Sequence, residues 1–199
     1  VLGIFTQKSS QNFARDFTLN ILIAFLPAAI FGFCFHKIIK LLFFNPLSIA
    51  ITLITGGLAI LLVEKLNIKP QCLEVEKLSK WQALKIGLFQ VLAMMPGVSR
   101  SGATIIGGLL LKLDRKTATE FSFFLSIPTI FAASIFDFYK NYQSLDSSKL
   151  GLLAIGFITS FFSALIVIKW FINFVSHHNF SVFAYYRILL GGIIIFSLI

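Results

Sequence analysis

The chain has 199 residues, of which 57% are hydrophobic, 15% aromatic and only 13% charged. This excess of apolar side chains is too large for one soluble core to absorb. A net charge of +9 is compatible with nucleic-acid binding, but the basic residues stand singly or in pairs between apolar runs. The positive-inside rule for membrane orientation explains that distribution better. The composition therefore predicts an integral membrane protein without a nucleic-acid partner.

The chain opens with an apolar stub, residues 1–5, that begins with Val rather than Met and does not resemble a cleavable signal peptide. We therefore expect it to begin partway through a helix. Five longer apolar runs can each cross a bilayer as a helix. They are residues 17–35, 47–63, 121–138, 151–170 and 182–199. The predicted fold is an all-α, polytopic membrane protein in which residues 1–199 form a single integral membrane domain.

Residues 81–113, between the second and third runs, are predicted to form a re-entrant hairpin. The halves 81–95 and 105–113 are each too short to span, and Pro96-Gly97 interrupts any continuous helix. The loop 96–104 should then line a cavity near mid-membrane. If the hairpin returns to its starting face, nine basic residues share that face and four lie opposite, which makes the first face cytoplasmic. The nine are Lys8, Arg15, Lys65, Lys69, Lys77, Lys80, Lys112, Arg115 and Lys116, and the four are Lys37, Lys40, Lys140 and Lys149.

Residues 25–61 and 159–196 share a layout of apolar helix, amphipathic linker and apolar helix with a Gly-Gly pair. Aligning Gly56-Gly57 with Gly191-Gly192 gives an offset of 135 residues (191 minus 56). The two segments run in opposite directions across the membrane, which predicts an inverted-topology repeat with a ligand site near the midplane. Chance similarity of two helical hairpins is the alternative. The same offset places a second re-entrant loop upstream of Val1.

The string "MMPGVSRSGATIIGG" holds the residues best suited to chemistry. An arginine near mid-membrane, Arg100, costs several kcal/mol unless an anion or a carbonyl-rich pocket compensates it. Its planar fork of donors suits phosphate oxygens. Glycines allow close backbone approach, hydroxyls add donors, and a half-helix opening at Ile105 should point its amides at the loop. These residues, Gly97, Ser99, Ser101, Gly102 and Thr104, together predict an anion cradle. A structural arginine paired with carbonyls or a carboxylate is the alternative.

Three further polar residues carry weaker signals. Gln90, in the first half-helix, either hydrogen-bonds the loop or bridges helices. Arg187 lies within an apolar run and is expected to be structural, by snorkelling to the nearby face or stabilising the bundle. Glu120 is expected to close a Thr117-x-x-Glu120 capping box. The two cysteines offer neither a disulfide framework nor metal-ligand spacing.

The string "PGVSRSGATI", with "GLFQVLAMM" before it and "TATEFSFFLSIP" after it, resembles the undecaprenyl-diphosphate phosphatase family, the bacitracin-resistance proteins of bacterial inner membranes. The resemblance implies hydrolysis of undecaprenyl diphosphate to undecaprenyl phosphate and inorganic phosphate, with a divalent metal ion such as Mg²⁺ or Ca²⁺. It implies recycling of the lipid carrier for peptidoglycan synthesis, bacitracin resistance and a pocket open to the periplasm. Arg100 would contact the diphosphate, with Ser99, Ser101 and Thr104 beside it and Gly97, Gly102 and Gln90 completing the binding site.

One departure from the family keeps two other interpretations open. The family's earlier motif, two glutamates four residues apart followed by Pro-x-Ser-Ser-x-Gly-His, does not occur in these 199 residues. The chain alone therefore offers no metal-ligand set and is expected to be inactive. Broken helices around an inverted repeat also suit a flippase or transporter of an anionic lipid. The expected partners are a polyprenyl diphosphate lipid and the membrane, with a second copy of the chain, in a homodimer, as a further candidate.

Overall fold

A computed structural model describes residues 8–142 and 150–198. Within these ranges the secondary structure is helical, which confirms the all-α prediction. The helices are α1 (Lys8–Phe43), α2 (Pro46–Lys65), α3 (Lys80–Leu92), α4 (Arg100–Leu110), α5 (Arg115–Asn141), α6 (Leu150–His177) and α7 (Ser181–Ser197). The predicted stub 1–5 and Lys149 lie outside the described residues.

Four of these helices are long and apolar enough to cross a membrane, in α1, α2, α5 and α6. The fifth predicted span forms α7, which has 17 residues and so lies at the lower end of the usual range of about 17–25. The apolar side chains of α6 are exposed along most of its length. This exposure suits contact with lipid, and the chain is a multi-pass membrane protein.

Helices α3 and α4 form the predicted hairpin between α2 and α5. They have 13 and 11 residues, so they are about 20 and 16 Å long and each covers only part of a hydrocarbon core of about 30 Å. The two ends of the hairpin meet. The amides of Gln71 and Cys72 donate to the Lys112 carbonyl at 2.7 and 3.1 Å, and the Asp114 amide donates to the Cys72 carbonyl at 3.0 Å. The segment therefore returns to the end of the bundle from which it started.

Helices α2 and α7 pack closely through one glycine on each side. A Cβ atom at Gly57 would lie 2.8 Å from the Ala184 carbonyl oxygen, and one at Gly191 would lie 2.8 Å from the Ala50 carbonyl oxygen. Each contact repeats the other at an offset of 134 residues (191 minus 57, and 184 minus 50). Such reciprocal contacts are what a two-fold relation between the two helices requires, and they agree with the predicted repeat at α2 and α7.

The predicted offset of 135 residues is wrong by one. Sequence alignment of the two Gly-Gly pairs matches Gly57 with Gly192. In the packed helices, Gly57 and Gly191 are the equivalent residues, because each approaches a backbone carbonyl of the opposite helix. The other glycine of each pair has different surroundings. A Cβ at Gly56 would meet the Arg187 side chain, and one at Gly192 would meet nothing within 4 Å.

The predicted capping box at Thr117 and Glu120 is also wrong. Helix α5 begins at Arg115, because Asp114 is the N-cap and accepts a hydrogen bond from the Thr117 amide at 3.0 Å. Glu120 instead lies 3.9 Å from the Lys116 ammonium, one turn earlier on the same helix.

Candidate functional site

The tip of the hairpin is a sharp turn built on Gly97. Its φ of +85° lies in the left-handed region, which side chains other than glycine rarely adopt. A Cβ atom at this position would also collide with the Thr52 side chain and lie 2.7 Å from the Ile49 carbonyl oxygen. Glycine is therefore required both for the turn and for the close approach of the tip to α2.

Helix α4 begins directly after the turn, at Arg100 and not at the predicted Ile105. Ser99 is the N-cap, and its hydroxyl accepts a hydrogen bond from the Gly102 amide at 3.0 Å. This cap stabilises the start of the helix, five residues earlier than predicted. The first amides of a helix have no acceptor within it, so those of Arg100 and Ser101 remain available to a ligand. The Ser101 hydroxyl lies 3.3 Å from that of Ser99.

The Arg100 side chain is half-buried at this helix start. Its Nη1 is fully enclosed and has no hydrogen-bond partner among the described residues. No ion pair of Arg100 with a described carboxylate is formed. The structural alternative, an arginine neutralised by carbonyls or a carboxylate, is therefore not seen in the described part of the chain. A buried cation beside free helix amides is suited to bind an anion.

A cavity of about 260 Å³ lies beside the tip. Its polar wall consists of Ser99, Ser101, Gly102 and Arg187, and the rest is apolar or aromatic and comes from α2, α4, α6 and α7. Arg100 does not line this cavity. The arrangement, hydroxyls and a cation at one end of an apolar space, suits a ligand with an anionic head and a hydrocarbon tail.

Thr104 and Gln90 do not line the cavity. The Thr104 hydroxyl is buried, lies 2.7 Å from that of Ser122 in α5, and also donates within α4. Gln90 is buried against α5, where its Oε1 is the acceptor in a long, 3.5 Å contact with the Thr129 hydroxyl. Its Nε2 has no partner in the described structure. The contacts of Thr104 fasten α4 to α5.

The structural role expected of Arg187 is confirmed in one of its two predicted forms, contacts that stabilise the bundle. Its side chain does not snorkel to a membrane face, because its Nη2 donates to the Gly97 carbonyl at 2.9 Å and to the Thr52 carbonyl at 3.3 Å. It therefore contacts the hairpin tip directly. The available signal was an arginine seven residues into an apolar helix, too deep for water to compensate at low cost.

The chain matches the family model of the bacitracin resistance protein BacA over residues 1–193. It belongs to the bacitracin resistance protein family. An undecaprenyl-diphosphatase of Methylobacillus flagellatus is 50% identical over 189 residues, which cover 92% of this chain and 70% of that protein. An undecaprenyl-diphosphatase of Nitrosospira multiformis is 50% identical over 197 residues, covering 98% and 71%. The hairpin, its tip and Arg187 all lie within the residues that match the family model.

Proposed function

We propose that this protein hydrolyses undecaprenyl diphosphate to undecaprenyl phosphate and inorganic phosphate. The observation that carries the proposal is the half-buried Arg100 side chain, whose enclosed Nη1 has no partner in the described structure, at the start of α4. The names of the similar proteins support the same reaction. The adjoining cavity, with polar and apolar walls, suits a lipid diphosphate better than a free anion.

In the proposed reaction, water attacks the terminal phosphorus, the bond to the bridging oxygen breaks, and the lipid leaves as its monophosphate. Negative charge is spread over the phosphoryl oxygens in such a transition state. In this proposal Arg100, the Ser101 hydroxyl and the first amides of α4 would stabilise that charge. No carboxylate or histidine of the described residues lines the cavity. These residues therefore account for anion binding and not for activation of water.

The divalent cation implied by the family resemblance stays a prediction. Mg²⁺ and Ca²⁺ prefer oxygen ligands, above all carboxylates. The tip offers a cation and hydroxyls, and the described residues contain no cluster of three His, Cys, Asp or Glu side chains that could hold a metal ion. The residues of the tip do not fit a divalent cation on their own, and we assign no step of the reaction to one.

Three finer aspects belong to the same proposal. The bacterial inner membrane is the proposed location, because an enzyme that recycles the lipid carrier must meet it there. The pocket would open to the periplasm, and two copies would form a homodimer. The multi-pass arrangement of apolar helices supports a membrane location in general and distinguishes among none of these details.

The test compares Arg100→Gln with Arg15→Gln, since Arg15 is exposed and far along the chain from the tip. Both proteins are purified in detergent and given a prenyl diphosphate, and release of inorganic phosphate is measured. We expect Arg100→Gln to lower kcat by roughly 10²–10³-fold, as loss of a transition-state donor does elsewhere, and Arg15→Gln to have little effect.

Equal phosphate release by the two variants would exclude the role given to Arg100. Absence of hydrolysis by the unaltered chain would contradict the proposed function and bear out the inactive fragment expected from the missing glutamate motif, whereas phosphate release would overturn that expectation. Transfer of intact lipid diphosphate across proteoliposomes without hydrolysis would favour the transport alternative.

A further inference from the structure

We propose that Arg187 is a positioning residue that holds the tip of the re-entrant hairpin against α2 and α7. Through this contact it would set the position of Ser99 and Arg100, which follow the tip directly. The consequence for catalysis rests on the proposed function, whereas the contact itself does not.

Two consecutive carbonyl groups of the tip are held from outside the hairpin. The Gly97 carbonyl accepts from Arg187 Nη2 at 2.9 Å, and the Pro96 carbonyl accepts from the Thr52 hydroxyl at 2.6 Å. Arg187 also donates to the Thr52 carbonyl at 3.3 Å, so the two outside donors are themselves connected. The tip is thus joined to α2 and α7 by a small hydrogen-bonded network that ends two residues before Ser99.

The hairpin's own hydrogen bonds hold its base more firmly than its tip. The base is closed by the backbone pairing of Cys72 with the segment at Lys112. At the tip, the Val98 amide donates to the Met95 carbonyl at 3.0 Å, a bond within the turn that does not fix the turn in space. The donors from Thr52 and Arg187 supply that fixation.

Space for the guanidinium is provided by Gly56 in α2. A Cβ atom there would lie 2.5 Å from Arg187 Nη2, so any larger side chain must displace the donor. The charge of Arg187 is compensated by carbonyl dipoles, since no ion pair with a described carboxylate is formed. Its enclosed Nε has no partner in the described structure, and the side chain lines the same cavity as Ser99 and Ser101. A fixed positive charge therefore remains close to the cavity while Nη2 is occupied with the backbone.

Gly56→Ala and Gly192→Ala make a matched pair for testing this role. Both change a helical glycine to alanine, but only the first intrudes on Arg187, because a Cβ at Gly192 meets nothing within 4 Å. The probe is a cysteine at Val98, in the turn, introduced into a full chain whose Cys34 and Cys72 are replaced by Ala. The rate of its reaction with a maleimide reports how often the tip separates from α2.

We expect Arg187→Met and Gly56→Ala to raise the labelling rate roughly tenfold, the factor given by loss of about 1.4 kcal/mol of hydrogen bonding. Gly192→Ala should label at the parental rate. Arg187→Lys, which keeps the charge and one donor, should fall between the two. Thr52→Val removes the other bond to the tip and should also raise the rate.

Parental labelling rates in Arg187→Met, Gly56→Ala and Thr52→Val, with folding verified by circular dichroism, would overturn the proposal. Phosphate release supplies a second, separate readout. A positioning role predicts that Arg187→Met lowers kcat and that Arg187→Lys restores part of it. If the parent releases no phosphate, the proposed function fails, but the labelling rates still decide whether Arg187 holds the tip.

Discussion

The two ends of the re-entrant hairpin each place an arginine at or near the start of a helix, and only one of the two is neutralised. At the base, the first residue of α5, Arg115, donates through Nη2 to Glu64 Oε2 at 2.5 Å, and Glu64 Oε1 also accepts from the Phe180 amide at 3.0 Å. At the tip, Arg100 Nη1 is enclosed without a partner among the described residues. The base therefore uses its cation to join α2, α5 and α7, whereas the cation at the tip has no partner among the described residues.

The cavities at the base and at the tip of the hairpin also differ in the charged residues that line them. The cavity at the base is the larger, about 570 Å³, and is lined by Lys69, Arg115 and Lys116 together with Glu64 and Asp114. Glu64 already accepts from Arg115, and Glu120 lies 3.9 Å from Lys116, so a large volume there does not indicate an anion site. The smaller cavity at the tip combines a cation with hydroxyls and contains no described carboxylate. A cation and hydroxyls without a described carboxylate in the lining, more than a large volume, distinguish the tip from the base.

Removing the carboxylate at the base should cause the largest loss of stability. Glu64→Ala leaves the Phe180 amide and the Arg115 guanidinium without their acceptor, and an unmet donor in a largely buried position costs about 2 kcal/mol. We expect a lower thermal midpoint in detergent. Arg100→Gln, in contrast, should leave the midpoint unchanged or raise it, because its charge has no partner to lose. A larger destabilisation by Arg100→Gln than by Glu64→Ala would contradict the comparison.

Substitutions of the two serines at the tip should affect stability and activity to different extents. Ser99→Ala removes the cap of α4 and should cost about 1 kcal/mol, since the Gly102 amide loses its acceptor. The hydroxyl of Ser101 contacts only that of Ser99 in the described structure, so Ser101→Ala should change the thermal midpoint less while still slowing phosphate release. Ser99→Asp, which preserves a capping oxygen but adds an anion beside Arg100, is the informative companion. It should keep the midpoint and reduce activity.

The smallest effect concerns Cys72 in the loop that closes the base. Burial raises the pKa of this thiol above its ordinary value, so less thiolate is present near pH 8 and alkylation should be slow. Because the folded-state pKa is the higher one, the stability from Cys72 is complete below the unfolded-state pKa. It is lost as the pH rises through the folded-state value.

The measurement is the alkylation rate and the thermal midpoint from pH 7 to above the ordinary thiol pKa. Cys34→Ala should retain the pH dependence of the thermal midpoint, whereas Cys72→Ala should remove it. Rapid alkylation of Cys72 at neutral pH would show that the base of the hairpin is open.

Local chemistry was enough to predict the hairpin and the cation at its tip. Pro96-Gly97 between two short apolar segments predicts the turn, and the polar string around Arg100 predicts an anion site. The predicted start of α4 at Ile105 is wrong because residues 100–104, assigned to the polar loop, are helical behind the Ser99 cap. Competition between a cap and a glycine within one turn is difficult to decide from sequence.

The remaining errors come from contacts between distant parts of the chain. Thr104 resembles a loop donor in sequence, and only the position of Ser122 in α5 shows that its hydroxyl faces a neighbouring helix. The role of Arg187 depends on space left by Gly56 and on a carbonyl at Gly97. No periodicity connects these positions, so their relation becomes visible only when the helices are packed.

The reciprocal contacts of Gly57 and Gly191 also constrain how the sequence can change over time. A larger residue at either glycine would press on a backbone carbonyl of the opposite helix, which cannot be replaced by mutation. Relief must then come from movement of the whole helix pair, and that movement would carry the attachment of the tip with it. The two halves of the repeat can therefore diverge freely on their lipid-facing surfaces, but along this seam they must change together or remain unchanged.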